Sequence, residues 1–341
     1  MDTLSLANMF ALSSTPVSAV AWAGGHINTS WKIDCADGSA ILLQGLNPDV
    51  FHNSLRVMQN LNALLTHATQ LSAPATGELS LIPTKAGRDW HTDTNGKLWR
   101  AFSFITNTRT FLETQSTAQA FEAAKAFGQF LRESAQIDIE KIQTVLPEFH
   151  DTPARIAALQ EAASADSHQR AASCQLEIQA ILAYLPQACA LQQTPFPTRI
   201  VHNDAKVANI LFNESGEAAL AVIDLDTTQP GCALHDYGDM LRSMTCRAAE
   251  DCQDINQVKV NPSYAEAVRR GWLQGCGDLL TPLEIAHMPL AGAWISTELA
   301  ARFLADYLSG DLYFQTSRPQ QNLDRARVQL QIAMQLASLQ E

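Results

Sequence analysis

With 341 residues and a hydrophobic content of 46%, the chain is long enough to form two lobes, each with its own core. Its formal net charge of -12, without a basic patch, excludes nucleic acid and anionic membrane surfaces as partners. Seven cysteines without a Cys-x-x-Cys pair indicate reduced thiols and a cytoplasmic protein, and we expect neither a signal peptide nor a membrane span.

The first third of the chain predicts a small antiparallel sheet. Apolar runs at residues 17–22 and 28–33 predict a hairpin around Gly24 and Gly25, where backbone N–H groups are able to approach a phosphate. The periodicity of residues 55–68 predicts a helix. Further strands are predicted at residues 40–46, 79–83 and 98–105.

After residue 107 the pattern is mainly helical apart from one β-hairpin. Two apolar runs, at residues 209–212 and 219–224, flank a turn near Gly216. In an antiparallel pairing around that turn, Asn209 lies opposite Asp224 and the residue before it. The hairpin therefore brings an amide and a carboxylate together.

Polar residues surround this hairpin at a defined spacing. His202-x-Asp204 precedes it, Asn209 follows Asp204 by five positions, and an Ile-Asp-Leu-Asp run ends at Asp226. Phosphoryl transfer needs a carboxylate that accepts the proton of the attacking hydroxyl, and an amide and a carboxylate that hold magnesium on the nucleotide phosphates. The spacing therefore predicts Asp204 as the catalytic base and Asn209 and Asp224 as Mg²⁺ ligands.

The neighbouring residues complete this interpretation. Asp226 is predicted to bind a second ion or to cap the following turn, and Lys206 to supply positive charge near the transferred phosphate. We expect His202 to pack and hydrogen-bond the loop, and Asp236 to hold the backbone of the loop. The rival interpretation is a metal hydrolase, which would need further histidine ligands, and the sequence has no His-Glu-x-x-His cluster.

Residues 201–239 resemble the aminoglycoside phosphotransferase and choline kinase family, whose members are small-molecule relatives of protein kinases. The resemblance extends over about residues 17–335. It points within the family to the branch that phosphorylates N-acetylhexosamines, and the segments that carry it are residues 25–29, 43–47, 149–153, 302–311, 313–314 and 322–325.

The resemblance implies an α+β, bilobal protein-kinase-like fold with a small antiparallel-sheet N-lobe and a larger, mainly helical C-lobe. The nucleotide-binding lobe is placed at residues 1–106, and the catalytic and substrate-binding lobe at residues 107–341. The implied cofactors are ATP and Mg²⁺, and the backbone at the end of the strand at residues 98–105 is expected to bind the adenine edge. The implied nucleotide-binding residues are Gly24, Gly25, Asn28, Thr29, Gln44, Phe102 and Phe104.

Gln44 stands where kinases of this fold carry a strand lysine, and the helix predicted after it contains no Asp or Glu. Both halves of the usual lysine–glutamate pair are thus absent together. This joint absence is physically reasonable, because the loss of only one half would leave an unfavourable unpaired charge in a partly buried cleft. The amide of Gln44 still donates to a phosphate oxygen, although more weakly than a cation.

The acceptor site is assigned through the resemblance and through side-chain polarity. Arg302 and Asp306 are four residues apart and share one face of a predicted helix, where an ordinary surface salt bridge is the alternative. The implied substrate-binding residues are His26, Asp204, Arg302, Asp306, Tyr307 and Asp311.

The expected function is ATP-dependent phosphorylation of the anomeric hydroxyl of a small-molecule sugar, an N-acetylhexosamine such as GlcNAc or GalNAc, by a monomer or weak dimer. A different small-alcohol kinase, acting on an aminoglycoside, choline or homoserine, is the first alternative. A nucleotide or sugar sensor with weak catalysis is the second, and the missing lysine–glutamate pair is the reason to consider it.

Overall fold

A computed structural model describes residues 2–22 and 27–339 of the chain. Gly24, Gly25 and His26 lie outside the described residues, so their predicted contacts with phosphate and acceptor stay predictions. Helix α1 (Thr3–Ala7), which the sequence pattern did not predict, opens the described part. Within residues 2–22 and 27–339, every helix is too short or too polar to cross a membrane.

The N-terminal part forms an antiparallel sheet of six strands. They are β1 (Pro16–Ala21), β2 (Thr29–Cys35), β3 (Ala40–Gly45), β4 (Leu81–Ile82), β5 (His91–Thr92) and β6 (Leu98–Ser103). Their order is β1-β2-β3-β6-β4, and β5 pairs with β6 at one end. The predicted strands at residues 40–46 and 98–105 are confirmed, whereas the one at 79–83 is shorter and β5 was missed because two residues carry no periodic signal.

Alternation along β3 separates the two faces of this sheet. Ile41 and Leu43 are buried on one face, where they pack with Ile33 and with Phe10, which follows α1. Gln44 is half-buried on the opposite face. The position predicted to meet the nucleotide phosphates therefore lies on the face turned away from this small cluster.

Helix α2 (Ser54–Ala68) follows the third strand, as the periodicity predicted. The side chain of Asn53 caps its first turn, and Val57, Met58 and Leu61 bury its inner face in the main hydrophobic core.

One buried polar side chain ties α2 to the C-terminal part of the chain. The Asn60 amide donates to the carbonyl oxygens of Gln143 at 2.7 Å and Thr228 at 2.9 Å, and accepts from the Gln143 N–H at 2.7 Å. Since a buried amide needs its partners, these bonds fix the helix against the segment that follows the predicted hairpin.

The C-terminal part is mainly helical. Its short strands are β7 (Thr108–Arg109), β8 (Arg199–Val201), β9 (Ile210–Asn213), β10 (Ala219–Val222) and β11 (Gln229–Gly231). Its helices are α3 (Thr117–Ser134), α4 (Thr152–Ala165), α5 (Gln175–Ala183), α6 (Leu185–Gln193), α7 (Ala233–Met244), α8 (Pro262–Cys276), α9 (Pro282–Leu308) and α10 (Gln321–Ser338). An antiparallel sheet followed by a helical part confirms the predicted α+β class.

Glycines allow two pairs of these helices to approach closely. A Cβ on Gly271 of α8 would lie 2.2 Å from the carbonyl oxygen of Phe121 on α3. A Cβ on Gly238 of α7 would lie 2.3 Å from the carbonyl oxygen of Ala291 on α9. The second contact matters for the site, because α7 carries the carboxylate that holds the loop described next.

Candidate active site

His202 follows β8 directly and is fully buried. Its ring packs edge-on against Phe127 and Phe130, with centroid distances of 5.2 and 5.8 Å, and its Nε2 lies 2.9 Å from the Ile223 carbonyl oxygen. His202 therefore joins the loop to the end of the hairpin, and its predicted packing role is confirmed.

Asp236, on α7, holds the backbone of the same loop. Its Oδ2 accepts from the His202 N–H at 2.8 Å, and its Oδ1 accepts from the Asn203 N–H at 2.7 Å. Burial raises the pKa of Asp236, although these hydrogen bonds favour its ionised form. Asn203 adopts a left-handed conformation with φ of 63°, which turns the chain so that Asp204 leaves the buried layer.

The hairpin of β9 and β10 has the predicted register. Ile210 pairs with Val222, and the Ile223 N–H donates to the Asn209 carbonyl oxygen at 2.9 Å. Asn209 is therefore opposite Ile223, with Asp224 one residue further along, as the sequence predicted.

Asp204 lies among groups that favour its ionised form. Its Oδ2 accepts from the Lys206 Nζ at 2.8 Å and from the Asn209 Nδ2 at 2.8 Å. Burial opposes ionisation, but the Lys206 ammonium and the Asn209 amide outweigh it and hold the pKa of Asp204 below its ordinary value. The same pairing raises the pKa of Lys206 although burial opposes the charge, so the pair is ionised at neutral pH.

Asn209 and Asp224 present oxygens that suit a hard divalent cation. The Asn209 Nδ2 donates to the main-chain carbonyl and to the carboxylate of Asp204, both at 2.8 Å, which leaves its amide oxygen as an acceptor. In the part of the chain that the structure describes, the Asp224 carboxylate has no hydrogen bond or ion pair. An amide oxygen and a free carboxylate are ligands that Mg²⁺ accepts, so these residues fit the predicted ion.

The pKa of Asp224 reflects this missing partner. Water reaches the side chain, but the surrounding protein restricts its solvation, and the carboxylates of Asp226 and Asp204 lie nearby. Restricted solvation and then these two charges raise the pKa of Asp224 from 3.8 to about 6. The residue also adopts a left-handed conformation, with φ of 61°, at the end of the hairpin.

Asp226 has protein partners in place of the second ion predicted for it. Its Oδ1 lies 2.6 Å from the Arg100 Nη1, and its Oδ2 accepts from the Asn28 Nδ2 at 2.7 Å. These contacts engage both carboxylate oxygens and leave the residue 3% exposed, so the geometry does not support the predicted metal contact.

Two of the predicted nucleotide-binding residues, Phe102 and Phe104, lie at the end of β6. Phe102 is buried, and its backbone pairs with Leu42 on one side and Leu81 on the other, so the predicted adenine contact cannot come from this residue. The Phe104 N–H donates to the Ala40 carbonyl oxygen at 3.3 Å, while its ring packs edge-on against Trp22 at 5.3 Å. The adenine-binding backbone is therefore expected just beyond Phe104.

Three residues in or beside the sheet were predicted to bind the nucleotide, and their contacts in the structure are with protein groups. Asn28 bonds to Asp226, as described, and its Oδ1 accepts from the Asn47 N–H at 3.1 Å. The hydroxyl of Thr29 accepts from the Lys97 Nζ at 2.9 Å. Gln44 faces the same side as the Arg100–Asp226 pair, and its contact with phosphate stays a prediction.

Arg302, near the end of α9, is surrounded by aromatic rings. Its guanidinium lies 5.5 Å from the ring centroid of Phe149, 5.9 Å from that of Tyr313 and 5.4 Å from that of Phe314. We call Arg302, Phe149, Tyr313 and Phe314 the aromatic cluster. Sequence reasoning noted the three aromatic residues but did not include them among the predicted substrate-binding residues.

Ring contacts connect the aromatic cluster to the loop that precedes Asp204. Phe149 lies 4.7 Å from the His150 ring, and His150 lies 4.4 Å from the His235 ring, centroid to centroid. His235 precedes Asp236, whose carboxylate holds the loop before Asp204. The aromatic cluster is therefore linked by adjacent rings to the loop that carries the predicted base.

Three other predicted substrate residues have structural roles. The Asp306 carboxylate accepts from the N–H groups of residues 312, 313 and 314 at 2.8–2.9 Å and from the Asn322 Nδ2 at 3.0 Å, which uses its acceptor positions. Tyr307 is buried beneath the Arg170 guanidinium, and Asp311 accepts from Arg170 at 2.7 Å. These contacts shape the segment that brings Tyr313 beside Arg302, and they leave no support for direct contact with an acceptor.

An antiparallel sheet joined to a helical part, with an ionised loop carboxylate beside an amide and a free carboxylate at a hairpin end, is the arrangement of a kinase-like phosphotransferase. Residues 23–281, more than half of the chain, match the family described as the phosphotransferase enzyme family, APH. The chain belongs to this family of small-molecule phosphotransferases.

Solved structures resemble the chain over nearly all of its length. Spectinomycin phosphotransferase, in complex with ADP and spectinomycin, is 14% identical, with a TM-score of 0.63 over 98% of this chain and 97% of that one. Amicoumacin kinase, in complex with AMP-PNP and Ca²⁺, is 14% identical, with a TM-score of 0.66 over 97% and 92%. A microcompartment-associated aminopropanol kinase is 13% identical, with a TM-score of 0.62 over 97% and 94%. The kinase-like fold is therefore confirmed.

Proposed function

We propose that the protein is an ATP- and Mg²⁺-dependent kinase that phosphorylates the C1 hydroxyl of an N-acetylhexosamine, GlcNAc or GalNAc. The observation that carries this proposal is the aromatic cluster, in which one guanidinium is surrounded by three rings. Aromatic rings offer an apolar face for a sugar ring, and a guanidinium donates to hydroxyl and acetamido oxygens.

The charge around the aromatic cluster supports a neutral acceptor over a cationic one. Glu298, one helical turn before Arg302, accepts from Thr152 at 2.5 Å and lies 2.8 Å from the His150 Nδ1. Asp306 and Asp311 are also engaged, as described above. Binding of an aminoglycoside or of choline requires free carboxylates or an aromatic cage without a cation at its centre, and Arg302 opposes such a ligand.

The same observation defines the second candidate. Among residues 2–22 and 27–339 no carboxylate forms an ion pair with Arg302, so its guanidinium could also bind the carboxylate of an amino-acid alcohol, which supports homoserine as the alternative acceptor. The two candidates differ in the charge of the acceptor and are separated by the same assay.

In the proposed reaction, Asp204 accepts the hydrogen bond of the acceptor hydroxyl and orients its oxygen toward the γ-phosphate. Its low pKa means that it takes up the proton late, as the bond to phosphorus forms. Lys206, paired with Asp204 at 2.8 Å, supplies positive charge beside the transferred group. Asn209 and Asp224 would hold Mg²⁺, which when bound neutralises charge on the phosphate oxygens.

An acceptor panel tests the proposal. ADP release is measured with ATP, Mg²⁺ and GlcNAc, GalNAc, homoserine, choline or kanamycin, and ³¹P NMR then distinguishes a phosphate on an anomeric carbon from one on a primary alcohol. We expect turnover with an N-acetylhexosamine and loss of turnover by orders of magnitude in Asp204→Asn, with nucleotide binding retained. Glu266→Gln, an exposed site on α8, is the control.

Two outcomes would contradict the proposal. Turnover only with kanamycin or choline would show that the acceptor is cationic. Absence of ADP release with every alcohol, combined with thermal stabilisation by nucleotide or sugar, would favour the sensor. We also propose a cytoplasmic enzyme that acts as a monomer or weak dimer, which is supported by the seven cysteines, each of them unpaired.

A further inference from the structure

Arg100 is the side chain that stands beside the missing lysine. It lies on β6 directly opposite Gln44 on β3, and it is 1% exposed. Its Nε and Nη2 donate to the Gln44 Oε1 at 3.3 and 2.9 Å, and its guanidinium lies 4.8 Å from the ring centroid of Phe102. The cation that the lysine position lacks is thus present on the neighbouring strand.

The partner of Arg100 belongs to the segment that carries the predicted metal ligand. Its Nη1 lies 2.6 Å from the Asp226 Oδ1, and both side chains are buried. Asp226 is two residues after Asp224, and its other oxygen accepts from Asn28. The sheet therefore holds this segment through two side chains, one on each carboxylate oxygen.

Arg100 also determines how the side-chain amide of Gln44 is oriented. A guanidinium has donors only, so the amide oxygen must face Arg100 and the amide nitrogen must point away from it. One N–H of that nitrogen donates to the Ser30 hydroxyl at 3.1 Å, which leaves the other available. Gln44 therefore presents a hydrogen-bond donor beyond the pair, as binding of a phosphate oxygen requires.

Arg100 itself is not placed to bind the nucleotide. Its Nε and Nη2 donate to Gln44, its Nη1 lies beside the Asp226 carboxylate, the ring of Phe102 covers its plane, and its side chain is 2% exposed. Any effect that Arg100 has on phosphoryl transfer must therefore pass through Gln44 and Asp226.

We propose that Arg100 is a positioning residue for phosphoryl transfer, which fixes the Asp224–Asp226 segment against the sheet and sets the donor of Gln44. Its buried strand-to-loop ion pair places a cation beside the position of the strand lysine of related kinases, but unlike that lysine it acts through its neighbours and does not bind the phosphates itself. The inference rests on the proposed phosphotransferase site and is independent of the identity of the acceptor.

Three variants separate positioning from mere structural support. Arg100→Lys keeps a charge that reaches Asp226 or Gln44 but not both, and Arg100→Met removes the charge while keeping an apolar stem over Phe102. Arg100→Met combined with Asp226→Asn removes both charges, so no uncompensated charge is left buried. Arg269→Met is the matched control, because Arg269 pairs with Glu266 on the exposed face of α8.

The main readout is binding, which does not require turnover. Mn²⁺ is titrated into each variant with bound ADP and followed by water-proton relaxation, and the thermal unfolding midpoint is recorded in parallel. We expect Arg100→Lys and the double variant to weaken Mn²⁺ binding about ten- to hundredfold, the range found for residues that orient metal ligands. The double variant should recover most of the unfolding midpoint that Arg100→Met loses.

The activity readout has a matching pattern. In the variants the Mg²⁺ concentration for half-maximal activity should rise and kcat should fall, whereas the KM of the acceptor stays within about twofold. Wild-type Mn²⁺ binding in Arg100→Lys, or recovery of both stability and Mn²⁺ binding in the double variant, would overturn the inference. If the wild-type protein phosphorylates no acceptor, the proposed function fails, but the Mn²⁺ titrations still decide the role of Arg100.

Discussion

The raised pKa of Asp224 makes metal binding depend on pH in a range where an ordinary aspartate is insensitive. Mg²⁺ and Mn²⁺ bind the ionised carboxylate, so a proton competes with the ion below a pKa of about 6. Between pH 7 and pH 5 the ionised fraction falls from about nine-tenths to about one-tenth, which should raise the apparent dissociation constant about tenfold. With the ordinary pKa of 3.8, the same change in pH would alter it by less than about a tenth.

The assay is a Mn²⁺ titration without nucleotide, because the phosphates of ATP and ADP titrate in the same range. Water-proton relaxation is measured from pH 5 to pH 8, with Asp224→Asn as the variant in which the pH dependence should disappear. Asp204 does not complicate the result, since its pKa is held below the ordinary value and it stays ionised throughout. A dissociation constant that is unchanged between pH 7 and pH 5 would refute the raised pKa of Asp224, and Mn²⁺ binding that is unchanged in Asp224→Asn would refute its assignment as a ligand.

Three further outcomes are expected. Asp224→Asn should raise the free energy of unfolding by about 1 kcal/mol at pH 7, after screening by solvent. In the unfolded state the Asp224 carboxyl loses its proton at a lower pH than in the folded state. The increase in the free energy of unfolding should therefore vanish near pH 4 in denaturant titrations. Gly238→Ala should lower that free energy by about 1–3 kcal/mol, because its Cβ would meet the Ala291 carbonyl oxygen, and an unchanged value would contradict the close helix contact. Arg302→Met should raise the KM of the acceptor about ten- to hundredfold and leave that of ATP unchanged, and equal effects on both would exclude acceptor binding.

The hairpin and its register could be predicted because they depend on local pattern. Alternation, a turn at Gly216 and the antiparallel rule were sufficient to place Asn209 opposite Ile223, and the hydrogen bond between these residues confirms it. The helix at residues 55–68 and the strands at residues 40–46 and 98–105 follow from periodicity in the same way. Elements of two to five residues, such as α1 and β5, carry too few positions for such a signal.

The partners of the acidic residues could not be predicted from local spacing. Asn28 and Asp226 are separated by 198 positions, and the Arg100 contact depends on which strands become neighbours in the sheet. Arg302 and Asp306 do share a helix, as predicted, but α9 ends at Leu308 and the Asp306 carboxylate turns to the N–H groups that follow. A spacing of four residues indicates that two side chains share a face of the helix. It cannot show which groups beyond the helix end will donate hydrogen bonds to the carboxylate.

The charges that meet at the hairpin end explain why one carboxylate remains available for a metal. Asp204 is paired with Lys206 at 2.8 Å and Asp226 with Arg100 at 2.6 Å, while Asp224, between them, has no cation within ion-pair distance in the described residues. Two cations against three carboxylates leave one negative charge, and restricted solvation together with the charges of Asp226 and Asp204 raises the pKa of Asp224. A divalent ion turns this excess into one positive charge, which attracts the phosphates of a nucleotide. A third fixed cation at this position would remove this excess charge, so we expect the proposed phosphoryl transfer to depend on metal because Asp224 is unpaired in the described residues.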